Sequence, residues 1–310
     1  MYHILPFSGL YFFIIIFGFI IFLHLFKNIL NKIISFKMIL FIAIIIYIYF
    51  CIPHSEKILF FLIYVYGVYW IYVKNKYQST LLPMIIIALP MILHKFDVSP
   101  IFKVIGISYI TFRTIQAMVD SHNYGKLSFI EFTSFLLFPT TLLAGPIDRS
   151  YRFQEDLQKG YENLTFTNIG KGWDILLVGV LFKFIFAECV NKFWLIPIDE
   201  NSVHLLDMMN SAYSYTTYLF FDFAGYSAMA VGLSIMMGIT VPMNFNHPYL
   251  APNPQDFWRR FHITLGSWLT DYFFKPLYKY LHNFNILKGK RLLIQNLAII
   301  ATFLLMGMWN

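Results

Sequence analysis

Residues 256–272 read DFWRRFHITLGSWLTDY. Arg259 and Arg260 are fixed cations, and His262 is the side chain that most readily takes up or releases a proton near neutral pH. The flanking sequence is strongly apolar, and an ionisable group at membrane depth costs several kcal/mol unless it is paired or engaged in chemistry. Two readings follow. In one, the arginines meet lipid phosphates and His262 is an interfacial histidine; in the other, the three residues face an internal cavity where proton transfer takes place. From Asp256, an N-cap after Asn253–Pro254, the apolar residues Trp258, Phe261, Leu265, Trp268, Leu269 and Tyr272 recur at three- and four-residue spacing. That spacing predicts one continuous amphipathic helix, with Arg259, His262, Gly266 and Thr270 on the face beside the apolar stripe. The expectation is that His262 lines a cavity.

The elements that must position this stretch belong in a membrane. The 310 residues are 58% hydrophobic, 20% aromatic and only 13% charged, with mean hydropathy +0.63, more apolar surface than a soluble domain of this size buries. Apolar runs fall at 10–26, 38–52, 58–73, 80–94, 101–119, 129–145, 172–190, 213–238 and 292–309, several of them near the roughly 20 residues a helix needs to cross hydrocarbon. The first has no basic segment ahead of it and no small-residue cleavage site, so it reads as a retained helix rather than a cleaved signal. Pro83, Pro90, Pro139 and Gly145 predict re-entrant or broken helices, tolerated at that depth only where protein or a water-filled cavity covers the backbone. The net charge of +7 is spread over loops, with no nucleic-acid-binding face. Lys27, Lys32, Lys37, Lys74 and Lys76 follow the first and third runs, which predicts cytoplasmic loops there and an outside N-terminus. Cys51 and Cys189 have no metal-ligand spacing, and no metal site is expected.

Three further stretches place polar groups among apolar ones. In GISYITFRTIQ (106–116), Arg113 either snorkels to the headgroups or works inside. In FPTTLLAGPIDRSYRFQEDL (138–157), Gly-Pro ends a helix, and Asp148 with Arg149 or Arg152 is expected to lock the turn at a cavity mouth. In YLFFDFAGYSAMAVGLSIMMGITVPMNFNHPYL (218–250), small residues from Gly225 to Ser234 predict close helix packing. Asp222 there needs a partner, with Arg259, Arg260 or a backbone amide as candidates. Arg113, Asp148, Arg149 and Asp222 are accordingly read as structural polar residues.

Taken in order, GISYITFR, AGPIDRSYRF, FDFAGYSAMAVG, GITVPMNFNHPYL, DFWRRFHITLGSWLTDY and LLMGMWN resemble the signature set of the membrane-bound O-acyltransferase (MBOAT) family, over roughly residues 100–310. The ISY-TFR and GPIDR-RF phrases are most similar to the branch of teichoic acid D-alanyltransferases such as DltB. The resemblance implies an all-α polytopic membrane protein, a helical bundle around a membrane tunnel with re-entrant or broken helices. It also implies N-terminal transmembrane helices over 1–100 and an MBOAT core over 101–310 within one membrane domain. Family members continue for two or more helices, so the chain is expected to lack the C-terminal ones.

In function, the resemblance implies a multi-pass cell-membrane acyltransferase. It binds no cofactor of its own; the donor is a phosphopantetheine thioester on an acyl carrier protein (a D-alanyl carrier) at the cytoplasmic side, and the acceptor is a teichoic acid or polysaccharide hydroxyl outside. His262 matches a polar position of the family's acyl-transfer site, where a neutral imidazole orients or deprotonates the acceptor hydroxyl. Trp258, Arg259, Arg260, Asn244, Asn246 and Trp309 are expected along the substrate tunnel. The family's catalytic histidine after Met-Gly-x-Trp is replaced here by Asn310, which hydrogen-bonds but accepts no proton. Weak activity is therefore expected, and two alternatives stay open: acetyl transfer to a surface polysaccharide, and an inactive homologue that keeps the tunnel as a binding or transport element.

Overall fold

Helices, many of them apolar on the outer as well as the inner face, account for most of the described residues. The structure is a computed structural model that describes residues 6–7, 9–75, 80–98, 103–196, 204–284 and 289–309, with side chains described as far as 307. It divides into two compact units, Met1–Asn244 and Phe245–Asn310. The boundary expected near residue 100 lies inside the first. Here α1 is Leu10–Ile33, α2 Phe36–Cys51, α3 Ser55–Asn75 and α4 Leu81–Lys95. On α1 the buried side chains Phe12, Ile16, Ile20 and Leu23 form one stripe, while Leu10, Tyr11, Ile14, Ile21 and Leu25 are exposed. A helix that is apolar on its outer face as well as its inner one is suited to lipid rather than water. By length and composition α1, α3 and α10 (Leu205–Met236) can each cross a membrane; α2, α4 and residues 291–307 are shorter apolar helices.

Several sequence expectations change at this level. Pro83 sits in the first turn of α4 and Pro90 inside it, and the helix runs through both. The early position of Pro83 explains its tolerance, since a first-turn N–H has no helical partner to lose. Pro139, by contrast, does mark a break. The run 129–145 is a short helix, α6 (Phe129–Leu136), followed by a 3-10 turn at Pro139–Thr141. A capping box starts α6, with Ser128 accepting from the Glu131 N–H and the Glu131 carboxylate accepting from the Ser128 N–H.

Arg113 explains how that break is held. It lies on α5 (Ile107–Tyr124) and is 1% exposed, which overturns the snorkelling reading. Its guanidinium donates to the carbonyls of Phe135 at 3.1 Å, Leu136 at 3.2 Å and Thr141 at 2.6 Å. A helix end leaves its last carbonyls without partners, and a forked, permanently charged donor satisfies several of them at once. One turn along α5, Gln116 donates to the Asp148 carbonyl at 2.8 Å. The Asp148 carboxylate in turn accepts from the Arg149 backbone N–H at 2.6 Å and forms an ion pair with the Arg152 side chain. The Gly-Pro-Ile-Asp turn is thereby fixed at the start of α7 (Ser150–Asn163).

The closest helix pair is α8 (Phe166–Leu181) against α10. A Cβ added at Gly172 would lie 2.6 Å from the Gly232 carbonyl oxygen, and one at Gly232 would lie 2.5 Å from that of Gly172. Gly179 and Gly225 oppose each other in the same way. Glycines seven apart on both helices therefore let the two backbones touch. Helical structure continues beyond α8 through a π-turn at Phe182–Phe186, α9 (Ala187–Val190) and a second π-turn to Leu195. Lys183, in the first π-turn, forms the ion pair with Asp222. The expected partner, Arg259, Arg260 or a backbone amide, is thus replaced by a lysine on the helix packed alongside.

Candidate active site

The second unit is built from α11 (Pro254–Arg260), α12 (Ile263–Leu269), a π-turn at Thr270–Phe274, α13 (Lys275–His282) and α14 (Arg291–Trp309). The continuous helix expected over 256–272 is two short helices with a break at His262. α11 is capped by Asn253 rather than Asp256: the Asn253 side chain accepts from the Asp256 N–H at 2.8 Å, and Pro254 occupies the first turn. The Asp256 carboxylate accepts from Arg260 Nε at 2.7 Å, one turn on. Phe261 is extended, at φ −101° and ψ 124°, and closes α11 through its N–H to the Phe257 carbonyl.

His262 then adopts φ 47° and ψ 53°, the left-handed region, and its carbonyl accepts the Gly266 N–H at 3.1 Å to open α12. For a residue with a Cβ this conformation costs about 1–2 kcal/mol, and such strain gathers at functional sites. His262 therefore begins a second helix instead of continuing the one that carries Arg259. The loop before α11 supports the break. Asn246 N–H donates to the Arg260 carbonyl at 3.0 Å, and the rings of Phe245 and Phe261 meet edge to face at 5.1 Å.

His262 lies on the wall of a cavity of about 690 Å³, a volume within the usual range of small-molecule sites. Trp258, Phe261, Leu265 and Phe274 supply apolar wall, joined by Ile299, Phe303 and Met306 from α14. The rings of Trp258 and Phe303 stand edge to face at 6.0 Å, closing one side. Polar groups on the lining are Arg259, His262, Ser267, Thr270, Asp271 and Thr302. The three hydroxyls bond back to their own helices, Ser267 to the Thr264 carbonyl, Thr270 to Gly266 and Thr302 to Ala298, and Asp271 accepts from Lys275 Nζ at 2.8 Å. The imidazole stands at the break between α11 and α12, half-buried on the cavity lining. The enclosing protein disfavours its charged form and lowers its pKa from the ordinary 6.5 to about 4. His262 is therefore neutral at pH 7, with one ring nitrogen unprotonated, and a weaker base than a free imidazole.

The residues read from sequence as tunnel wall do not all meet here. Trp258, Arg259 and His262 line the cavity. Arg260 forms an intrahelical ion pair with Asp256 and is not among the residues lining this cavity. Asn246 contributes its backbone to the loop that holds α11. Asn244 is buried at the end of the first unit. The side chain of Trp309 and the whole of Asn310 lie outside the described residues. Ser267, Asp271 and Thr302 were missed by the sequence reading. The first two lie in the quoted stretch beyond the predicted polar face, and Thr302 lies on a helix whose apolar run hides it.

Residues 33–309 match the MBOAT, membrane-bound O-acyltransferase, family, and the chain belongs to that family. It is 36% identical over 217 residues to the teichoic acid D-alanyltransferase of Bacillus subtilis (strain 168), covering 66% of this chain and 53% of that protein. It is 31% identical over 278 residues to the teichoic acid D-alanyltransferase of Streptococcus thermophilus, covering 83% of this chain and 67% of that one. With a peptidoglycan O-acetyltransferase of Helicobacter pylori it shares 34% identity over 186 residues, covering 59% of this chain and 33% of that protein. The chain thus spans between about half and two thirds of the length of the two D-alanyltransferases. All of this agrees with a polytopic, all-helical membrane protein.

Proposed function

We propose that this chain carries acyl-transfer machinery that moves D-alanine from a phosphopantetheine thioester on a carrier protein to a hydroxyl of a teichoic acid. The observation that carries the reading is His262, neutral and set by a left-handed break on the wall of an apolar cavity. In the proposed reaction the acceptor hydroxyl gives its proton to the imidazole as its oxygen attacks the thioester carbonyl. The carbon–sulfur bond then breaks, and the thiolate leaves with the proton returned from the imidazolium. Arg259 stands on the same wall as a donor to the oxyanion that develops. The names of the relatives support O-acyl transfer as the class and favour D-alanine over acetate as the group.

In the same reading Asn310 occupies the position of the family's second histidine, so one proton acceptor is lacking and turnover is slow. The test is to reconstitute the chain in vesicles with D-alanyl-loaded carrier and lipoteichoic acid and to follow labelled D-alanine. Slow transfer that disappears in His262→Ala, and rises about 10²–10⁴-fold in Asn310→His, supports the proposal. Transfer of acetyl but not D-alanyl groups would assign the chain to polysaccharide acetylation instead. Absence of either transfer, in both the chain and Asn310→His, would favour a binding or transport role.

A further inference from the structure

The first unit contains a cavity whose lining shares no residue with the candidate active site. About 1200 Å³ in volume, it lies where the C-terminal end of α3 meets the end of α5 and the start of α6. Its aromatic side is Tyr66, Tyr69, Trp70 and Tyr72, and its cations are Lys74 and Lys126. The framework is well held: Tyr69 accepts from the Leu127 N–H at 2.7 Å, and Tyr72 hydrogen-bonds the His122 ring. Lys74 Nζ lies 4.6 Å above the Trp70 ring, held by the aromatic face rather than by a carboxylate. Glu131, the acid on the lining, is already engaged by the Ser128 N–H and hydroxyl and by Lys37 at 3.7 Å. The charge left facing the space is positive.

The depth of the site identifies its ligand. α3 is a membrane-spanning helix, and Trp70, Lys74 and the tyrosines occupy its last turns, the level at which aromatic rings and lysines meet headgroups. Toward the middle of α3 from Trp70 the exposed residues are Phe60, Ile63 and Tyr64, an apolar outer face continuous with Trp70. An anion bound between Lys74 and Lys126 would therefore sit directly above a path for hydrocarbon. We propose that this pocket holds the phosphate of an anionic phospholipid, with the headgroup among the tyrosines and the acyl chains along the outer face of α3. Basic pockets between helices at the membrane surface select anionic headgroups on the same grounds.

The test uses the full chain in nanodiscs of phosphatidylcholine, with or without phosphatidylglycerol, read by thermal midpoint and by retained lipid in native mass spectrometry. With each lysine near the surface contributing attraction for anionic lipid, the expected preference for phosphatidylglycerol is about 30-fold, with a matching rise in midpoint. Lys74→Ala with Lys126→Ala removes the preference, whereas Lys32→Ala with Lys171→Ala, an equal loss of charge at exposed sites elsewhere, keeps it. An equal preference in the Lys74/Lys126 variant would overturn the proposal. So would an equal rise in midpoint from inorganic phosphate in phosphatidylcholine discs, since the site would then take the anion without its lipid.

Discussion

Arg113 and His262 are both ionisable residues in an apolar chain, and their surroundings assign them opposite work. Arg113 is 1% exposed and its two terminal nitrogens donate to the carbonyls of Phe135, Leu136 and Thr141, which holds a broken helix. His262 stands in a strained backbone break with its ring on a cavity wall, where the enclosing protein keeps it neutral. A buried cation whose terminal nitrogens go to backbone carbonyls is structure; a neutral imidazole on a cavity wall is placed for chemistry.

The largest effect should come from breaking the structural side of this contrast. Arg113→Met leaves three carbonyls without their donor, each costing about 1–3 kcal/mol when buried, enough to remove most of the marginal stability of a folded protein. We expect Arg113→Met to yield aggregated or degraded protein, read by size-exclusion chromatography in detergent; a monodisperse variant with an unchanged midpoint would show the carbonyls to be satisfied in another way. Gly232→Val should follow, because its first added carbon already meets the Gly172 oxygen at 2.5 Å. Overpacking of this kind costs about 1–3 kcal/mol, seen as a lower thermal midpoint.

Smaller still is the Lys183–Asp222 pair, whose side chains are 19% and 33% exposed. Asp222→Asn and Lys183→Met should each lower stability, and the double variant should lose less than the sum, with a coupling of about 1 kcal/mol. Exact additivity would mean the two charges act independently. A separate effect is the pH dependence of stability. Because the folded pKa of His262 is lowered from 6.5 to about 4, only the unfolded chain takes up this proton between those values. Its contribution is nil above about pH 6.5 and becomes increasingly destabilising as the pH falls toward 4. In His262→Gln that part of the acid sensitivity should disappear from denaturation midpoints measured across this window.

The membrane class, the order of the motifs and the stretch holding the cavity wall were legible in the sequence, because hydropathy and phrase order are local properties. The break at His262 was not. Residues 256–272 keep a helical spacing of apolar residues through it, and a left-handed histidine carries no marker of the kind a glycine would give. Pro90 misled in the opposite direction, since α4 continues through it. The partner of Asp222 was also out of reach: Lys183 is 39 positions away, and only the glycine-paired contact of α8 and α10 brings their neighbourhoods together. Arg113 admitted two readings because the sequence does not say which end of a helix is covered.

The central claim, that His262 is chemical and not structural, is tested most directly by measuring acyl transfer and thermal midpoint together in His262→Gly. Glycine relieves the left-handed strain, so the account predicts a midpoint at or above that of the unchanged chain, by about 1 kcal/mol of stability, with acyl transfer lost. Transfer that survives in His262→Gly would contradict the claim, and so would a variant that loses transfer only in proportion to its loss of folded protein.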